Sequence, residues 1–214
     1  MKLGDSAFVY LGRKDGVHRK GVVVVMNKEA AKSCLGWEGS NNKIRIAYFK
    51  TKKFRLSVIV VYAPVELTDG VTSDSEFYLQ LQEQIDRVPG RYTVFLLEAF
   101  NAQVHRNRDI CYPTLDKFGV NKENCNVYRF LQFCRHNNLV ITSTMFCHKM
   151  THKLTWYSRD GKRANLIDYV IVNRRSAALI PDARVYRSAV KDVRSKDHHL
   201  VVSGVKSKLK LWKG

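Results

Sequence analysis

Several apolar segments of the sequence end in a polar side chain, or are interrupted by one, that could take part in chemistry. An aspartate can bind a hard cation, and a histidine can transfer a proton or bind a phosphate oxygen near neutral pH. The residue types therefore indicate metal binding, proton transfer or phosphate binding. These residues are Tyr62, Asn101, Asp168, Asp197 and His198.

Asp197 and His198 are adjacent and stand just before the apolar run 200–202. Neighbouring side chains of a strand face opposite ways, so the two can share one pocket only where the strand ends. Catalytic pairs are found at such places. An adjacent Asp and His is also common on protein surfaces, and the pair alone leaves both interpretations open.

Three further polar residues stand at or near the ends of predicted strands. Asp168 is a lone acid in the apolar strand predicted at 167–172, and a buried acid of this kind needs a partner. Asn101 follows the apolar run 94–97, where a buried strand opens into a loop. Tyr62 ends another apolar strand in the same way.

The elements that position these residues are predicted from the pattern of apolar side chains. Helical spacing predicts one helix from Ser73 to Pro89 and a second from Asn126. Strands interleaved with a few helices, without strict βαβ repetition, predict an α+β fold with packed sheets. Strands are expected at 21–25, 44–49, 54–62, 92–97, 139–141, 167–172 and 200–205. The second and third are expected to form a hairpin around a basic turn, and the last two to close the sheet.

The charge of the chain is strongly positive. There are 37 Lys and Arg against 19 Asp and Glu, so the net charge is +18 and the pI about 9.9. Such a charge favours polyanions as partners, with nucleic acid as the first candidate. A generally basic surface without a dedicated partner is the alternative, because a total charge does not show where the charges lie. The length suits a single domain, 1–214, with a basic tail at 206–214.

The cysteines and apolar runs bear on the cellular location. The 5 cysteines include no C-x-x-C pair and indicate neither a disulfide framework nor a zinc ribbon, so a reducing compartment is expected. No apolar run reaches membrane-spanning length, and residues 1–14 lack the features of a signal peptide. These features predict an intracellular protein, nuclear or cytoplasmic and not secreted, and leave its oligomeric state open.

Short motifs at strand ends recur along nearly the whole chain: HRKGV at 18–22, YAP at 62–64, FNAQV at 100–104, LTWYS at 154–158, IDY at 167–169 and DHHL at 197–200. In this order they resemble the endonuclease/exonuclease/phosphatase superfamily, which has the DNase I-like fold. More narrowly, the chain resembles the endonuclease domains of RTE-type non-LTR retrotransposons and the related craniofacial development protein 2-like sequences. The resemblance implies a four-layer α/β sandwich, in which two packed mixed β-sheets are flanked by helices.

The resemblance also implies an activity, Mg²⁺-dependent hydrolysis of DNA phosphodiester bonds, with Mn²⁺ as the alternative metal and double-stranded DNA as the partner. Asp197 matches a metal-linked carboxylate, His198 the acid/base at the phosphate, and Asp168 the acid that orients His198. Tyr62 and Asn101 match residues that position the scissile phosphate. The residues matched to nucleic-acid contacts around the pocket are Thr155, Trp156, Arg159 and Asn165.

Two departures from the family pattern predict impaired catalysis. The family motif at 98–101 normally reads Gly-Asp-Phe-Asn, whereas this chain reads Glu-Ala-Phe-Asn, so Ala99 replaces a carboxylate. Glu98 could substitute only if the strand had already ended there. The family's Gln/Ser-Glu-Thr type motif, which supplies the main metal ligand, has no counterpart before His18, and Glu29 follows the first matching strand.

These observations support three hypotheses. The first is a retrotransposon-derived DNA endonuclease domain that lacks the first sheet elements, with weak or absent Mg²⁺ binding and impaired activity. The second is a non-catalytic nucleic-acid-binding module that acts through its basic surface. The third is a decayed reading frame without a selected role. The first two differ in how DNA binding and nicking depend on His198, and a thermal melt without a cooperative transition would favour the third.

Overall fold

The elements of the fold are taken from a computed structural model, which describes residues 2–3, 6–11, 22–39, 43–63, 71–104, 114, 126–187 and 197–206. Among the described helices, none combines the length and apolar character needed to cross a membrane. The helices are α1 (Lys28–Ser33), α2 (Val71–Arg87) and α3 (Asn126–His136). The strands are β1 (Lys2–Leu3), β2 (Ser6–Leu11), β3 (Val22–Asn27), β4 (Cys34–Glu38), β5 (Ile44–Lys50), β6 (Arg55–Val61), β7 (Thr93–Ala99), β8 (Leu139–Ile141), β9 (Trp156–Tyr157), β10 (Ala164–Asn165), β11 (Asp168–Asn173), β12 (Ala183–Tyr186) and β13 (Leu200–Ser203).

A 6-stranded mixed sheet lies at the centre, in the order β4-β5-β6-β7-β11-β8. β5 and β6 form the predicted hairpin, with Ile44 opposite Val61. β6 and β7 are parallel and are connected through α2, whereas β11 is antiparallel to β7. The ends of β6 and β7 and the start of β11 therefore lie at one edge of the sheet. We call this the site edge, because it carries Tyr62, Asn101 and Asp168, and we call the opposite edge the distal edge.

Apolar side chains cover both faces of the central sheet. Phe95 and Leu96 are neighbours in β7 and belong to different cores, as the alternation of side chains along a strand requires. Leu96 packs with α2 and α3 in a core that includes Leu81 and Phe130. Phe95 packs on the other face with Val201 of β13. Each large side chain buried in this way stabilises the fold by about 2 kcal/mol.

The predicted layered α+β fold is confirmed, with α2 and α3 on one face of the central sheet and further strands on the other. The further strands form small antiparallel sheets, β1-β2-β3, β9-β10 and β12-β13. The sequence predicts that 200–205 completes the same sheet as 167–172, and this detail is wrong. β13 pairs with β12 because β11 already has hydrogen-bonded neighbours on both sides, β7 and β8.

The predicted basic tail falls largely outside the described residues. Of 206–214, only Lys206 is described, and its backbone N–H donates to the carbonyl of Leu179 at 2.7 Å. The first residue of the tail is therefore attached to the turn that follows β11.

Asp182 connects two segments of the second layer. Its carboxylate lies 2.6 Å from His148 Nε2 and also accepts a hydrogen bond from Arg184 Nε. Burial opposes the ionisation of Asp182, but the two hydrogen bonds outweigh burial, so the pKa of Asp182 lies below its ordinary value. The contact joins the segment that leads into β9 to the sheet that contains β13.

We expect Asp182 to contribute to the loss of stability in acid. A carboxyl group whose pKa is lowered by folding stabilises the protein above its unfolded pKa of about 4, and this stabilisation is lost as the pH falls through the folded pKa. Between about pH 6 and pH 3, the free energy of unfolding should therefore fall less in Asp182→Asn than in the wild type, by about 1 kcal/mol. Urea denaturation at both pH values measures the difference, and equal acid sensitivity would contradict the prediction.

Candidate active site

His198 and Asp168 form the centre of the candidate site. Nδ1 of His198 lies 3.1 Å from Oδ2 of Asp168, although the residues are 30 positions apart. The Asp168 side chain is 17% exposed and that of His198 is 47% exposed. A carboxylate at Nδ1 orients the imidazole ring and assigns acid-base work to Nε2. The half-exposed ring can therefore meet a ligand while Asp168 remains largely covered.

Thr155 holds both members of this pair in position. Its hydroxyl oxygen accepts the backbone N–H of Asp168 at 3.1 Å. Its carbonyl accepts the N–H of His199 at 2.7 Å, and the next residue, Trp156, forms an antiparallel bridge with His198. The Thr155 side chain is fully buried. This buried hydroxyl therefore positions Asp168 through its backbone, and the contact of Thr155 with nucleic acid stays a prediction.

Asn101 joins the ends of β6 and β7. Its φ of 50° lies in the left-handed region, which asparagine adopts more readily than most residues. Its Nδ2 donates to the carbonyl of Ala63 at 3.0 Å, and the Ala63 N–H donates to the carbonyl of Ala99 at 3.1 Å. Tyr62 precedes Ala63 and is partly buried. These bonds bring Tyr62 and Asn101 to neighbouring strand ends at the site edge.

Tyr169 had no predicted role, but it supports the loop that contains Asn101. Its hydroxyl lies 2.6 Å from the Ala102 carbonyl and 2.8 Å from the Leu166 carbonyl, and it accepts the Val104 N–H at 3.2 Å. Burial raises the pKa of the Tyr169 hydroxyl, which keeps it protonated as a donor. A tyrosine within an apolar strand was the available signal, since a buried hydroxyl needs partners.

Ala99 lies directly opposite Asp168 where β7 pairs with β11. Directly opposed residues point their side chains to the same face of the sheet, so position 99 faces the same side as the Asp168 carboxylate. Ala99 is 7% exposed. β7 continues through Glu98 to Ala99, so the backbone does not have the early strand end that a substitution by Glu98 requires. The Glu98 side chain lies outside the described part of the molecule.

A cluster of aromatic and basic side chains lies beside His198. The ring centroids of Tyr157 and His199 are 5.1 Å apart, and the Arg187 guanidinium lies 4.9 Å from the Tyr157 centroid. Burial, followed by the charges of Arg187 and His198, lowers the pKa of His199. Among the described residues, Nδ1 of His199 has no hydrogen-bond partner. His199 is therefore neutral near pH 7, whereas His198 is the histidine whose ring is oriented by Asp168.

Several solved structures share this architecture at low sequence identity. The endonuclease domain of TRAS1, a telomere-specific non-LTR retrotransposon, matches with a TM-score of 0.65 and 12% identity, over 97% of this chain and 83% of that chain. A 3′ phosphatase from Neisseria, bound to a product DNA hairpin, matches with a TM-score of 0.68 and 17% identity, over 95% and 80%. An AP endonuclease from Leishmania major matches with a TM-score of 0.69 and 11% identity, over 96% and 72%. The chain has the DNase I-like fold that these solved structures share.

This DNase I-like chain is also similar in sequence to craniofacial development protein 2. The protein from Bos taurus is 31% identical over 207 residues, which are 97% of this chain and 34% of the relative. The protein from Tragulus javanicus is 30% identical over 207 residues, 97% of this chain and 35% of the relative. The chain thus spans about a third of the length of the curated relatives it matches. No protein-family model matches it. The resemblance predicted from the motifs is confirmed.

The remaining residues predicted for the site of this DNase I-like chain lie next to His198 in the sequence, on β9 and β10, or in the turn between these strands. Asp197 adjoins His198, and its carbonyl accepts the Tyr157 N–H at 2.7 Å. Trp156 and Asn165 are paired across β9 and β10 and are partly buried. Arg159 is exposed in the turn between these strands. Their roles toward a metal or a nucleic acid stay predictions.

The described side chains of this DNase I-like chain do not fit the Mg²⁺ that the resemblance implies. Mg²⁺ is bound through oxygen ligands, and Ala99 supplies none on the face it shares with Asp168. Within the described ranges, no group of three or more His, Cys, Asp and Glu side chains is placed to hold a metal ion. Glu29 is exposed on α1, which contacts β2, β3 and β5.

Proposed function

We propose that this chain is a retrotransposon-derived endonuclease domain that still binds the DNA backbone but is impaired in phosphodiester hydrolysis. The observation that supports impairment most directly is the alanine opposite Asp168. The proposed origin rests on the similarity to the TRAS1 endonuclease domain and to craniofacial development protein 2.

Phosphate binding and hydrolysis make different demands on the residues of the site edge. His198, oriented by Asp168, has the geometry to donate a hydrogen bond from Nε2 to a phosphate oxygen. Hydrolysis also needs a group that activates water and a proton donor for the leaving oxygen. The methyl group of Ala99 can do neither. Binding should therefore be retained while the rate of hydrolysis is lost.

The proposed partner is double-stranded DNA. The net charge of +18 favours a polyanion, and the Neisseria 3′ phosphatase of the same fold is bound to a DNA hairpin. Weak or absent binding of Mg²⁺ or Mn²⁺ follows from the missing carboxylate. A reducing, intracellular compartment is supported by the described cysteines, Cys34, Cys134 and Cys147, which are free thiols.

A nicking assay on supercoiled DNA with Mg²⁺, combined with DNA-binding measurements, tests the proposal. We expect the wild type to nick no more than about tenfold faster than His198→Ala, because the site already lacks a member of its catalytic unit. We expect His198→Ala to weaken DNA binding about tenfold, since a hydrogen bond to a charged oxygen is lost. His136→Ala is the matched control, because His136 is exposed at the end of α3. Robust wild-type nicking that His198→Ala abolishes would overturn the impairment.

A second candidate function is a non-catalytic nucleic-acid-binding module that acts through its basic surface. The large positive charge favours it. In that case DNA affinity falls steeply with salt, as counterion release requires, but is the same in the wild type and in His198→Ala. The loss of affinity in His198→Ala therefore distinguishes the two candidates. Absence of DNA binding at low salt would contradict both.

A further inference from the structure

Three arginine side chains converge on Tyr92 at the distal edge. Arg55 begins β6, Arg91 precedes β7, and Arg175 follows β11. They meet because β6 and β7 are parallel and β11 is antiparallel to β7, so two strand starts and one strand end lie together. We call Arg55, Arg91 and Arg175 the distal cluster.

Tyr92 holds the three guanidinium groups through different parts of its structure. Nη1 of Arg55 donates to the Tyr92 hydroxyl at 3.0 Å. The guanidinium carbons of Arg55 and Arg91 lie 5.8 Å and 6.0 Å from the Tyr92 ring centroid. Nη2 of Arg175 donates to the Tyr92 carbonyl, to which Asn173 Nδ2 donates at 3.2 Å. Tyr92 is only 6% exposed, so it is a fixed support rather than a surface contact.

A cleft of about 270 Å³ adjoins the distal cluster. Guanidinium and amide groups line part of its wall, and such donors favour an anion. A cleft of this size can accept a phosphate group with part of its sugar, but not a large cofactor. The exposed lysines of the turn between β5 and β6 extend the basic surface beyond Arg55. The polar lining residues of the cleft are Asn137, Asn138, Asn173, Arg174 and Arg175.

The distal cluster has no carboxylate partner among the described residues. The ion pairs that join described residues involve Asp168 or Asp182, and none of them includes an arginine of the distal cluster. Like charges held near one another repel, and a bound anion relieves this repulsion. Arginine binds phosphate oxygens through two parallel N–H groups. A basic surface that only faces solvent would not need three guanidinium groups oriented by one buried residue.

We propose that the distal cluster is a second nucleic-acid-binding surface, which contacts backbone phosphates and acts independently of His198. β7 has 7 residues, so the site edge and the distal edge are about 20 Å apart. Phosphates bound at the distal cluster therefore belong to a different segment of nucleic acid from that at His198. A DNA duplex presents one phosphate charge about every 1.7 Å of its axis, so it can satisfy several guanidinium groups at once.

Chemical protection of arginines locates the contact directly. In the presence of a duplex of about 20 base pairs at low salt, we expect Arg91 and Arg175 to react with phenylglyoxal at least about threefold more slowly, as measured by mass spectrometry. Arg159, near the site edge, reports the proposed active site in the same sample. The experiment therefore tests DNA binding at the distal cluster and DNA binding at the proposed active site separately. Unchanged reactivity of Arg91 and Arg175 would overturn this inference.

Double variants distinguish specific binding by the distal cluster from an effect of the overall surface charge. Arg91→Ala/Arg175→Ala should weaken duplex binding at least about tenfold and reduce the salt slope by about 2. Arg91→Lys/Arg175→Lys keeps the charge but loses the planar fork, so a smaller loss is expected. Arg91 and Arg175 are exposed, and the Tyr92 carbonyl keeps its hydrogen bond from Asn173 when Arg175 is replaced, so the melting temperature should fall by no more than a few degrees. The control that removes the same charge elsewhere on the surface is Lys28→Ala/Lys149→Ala, at two exposed lysines outside the turn that carries Arg159.

Two results of the binding experiment would overturn the inference. One is an equal loss of affinity in the arginine pair and the lysine control, which would reduce the distal cluster to general surface charge. The other is stronger binding of polyglutamate than of duplex DNA, lost in Arg91→Ala/Arg175→Ala, which would assign the surface to an acidic protein partner. The inference is supported if duplex affinity is lost only in the arginine variants and DNA protects the same arginines from phenylglyoxal.

Discussion

Replacing Ala99 with aspartate is expected to raise the rate of supercoiled-DNA nicking by about tenfold, a partial gain because the other described side chains of the site do not fit Mg²⁺. Position 99 opposes Asp168 in the β7 and β11 register, so the new carboxylate would lie on the face where Asp168 meets His198. Two opposed carboxylates repel, which raises the pKa of one of them and favours its protonated form as a proton donor. The appearance of relaxed plasmid in Mg²⁺ buffer measures the rate.

The matched control for this gain is Ala99→Asn, which has nearly the same shape as aspartate but no acid-base chemistry. Ala99 is buried, so both substitutions should lower the melting temperature by a similar few degrees. Adding His198→Ala to the aspartate variant should remove the gain. A gain shared by the asparagine variant, or no gain in a folded aspartate variant, would show that position 99 does not limit the rate.

Replacing Tyr169 with phenylalanine is expected to lower the free energy of unfolding by about 3 kcal/mol. The change leaves the carbonyls of Ala102 and Leu166 and the N–H of Val104 without the hydroxyl they now contact. Tyr169 is 1% exposed, so water does not readily replace the lost group. Urea denaturation monitored by circular dichroism measures the loss.

Tyr48→Phe is the matched control for Tyr169→Phe, because it removes the same atom from a partly exposed tyrosine. The Tyr48 hydroxyl donates to Glu38, and water can replace it there, so a loss of about 1 kcal/mol or less is expected. Equal losses in the two variants would mean that the buried hydroxyl of Tyr169 does not hold the loop after β7.

Much of the fold could be predicted from local patterns. The apolar runs predicted the β5 and β6 hairpin, β7 and β11, since a strand's side-chain periodicity is written in its own residues. Strand partners are not local in this sense. β13 was assigned to the wrong sheet because its partner depends on whether the edges of β11 are already occupied.

The candidate site likewise has features that the sequence shows locally and features that only the folded chain shows. The residue types at the strand ends were visible in the sequence, and so was the alanine at 99. The role of Thr155 was not, because a threonine before a tryptophan reads alike whether its hydroxyl faces a ligand or binds a buried backbone N–H. Tyr169 could have been suspected from its place in an apolar strand, but its three partners could not.

The sequence by itself determined the basic charge of the protein, the polar residues at its strand ends and the missing carboxylate. The tertiary structure alone decided that Asp168 meets His198 across 30 residues and that Arg55, Arg91 and Arg175 meet at Tyr92. The physical reason is that such contacts depend on strand direction and register. These are set by the hydrogen bonding and packing of the whole sheet and not by any one segment.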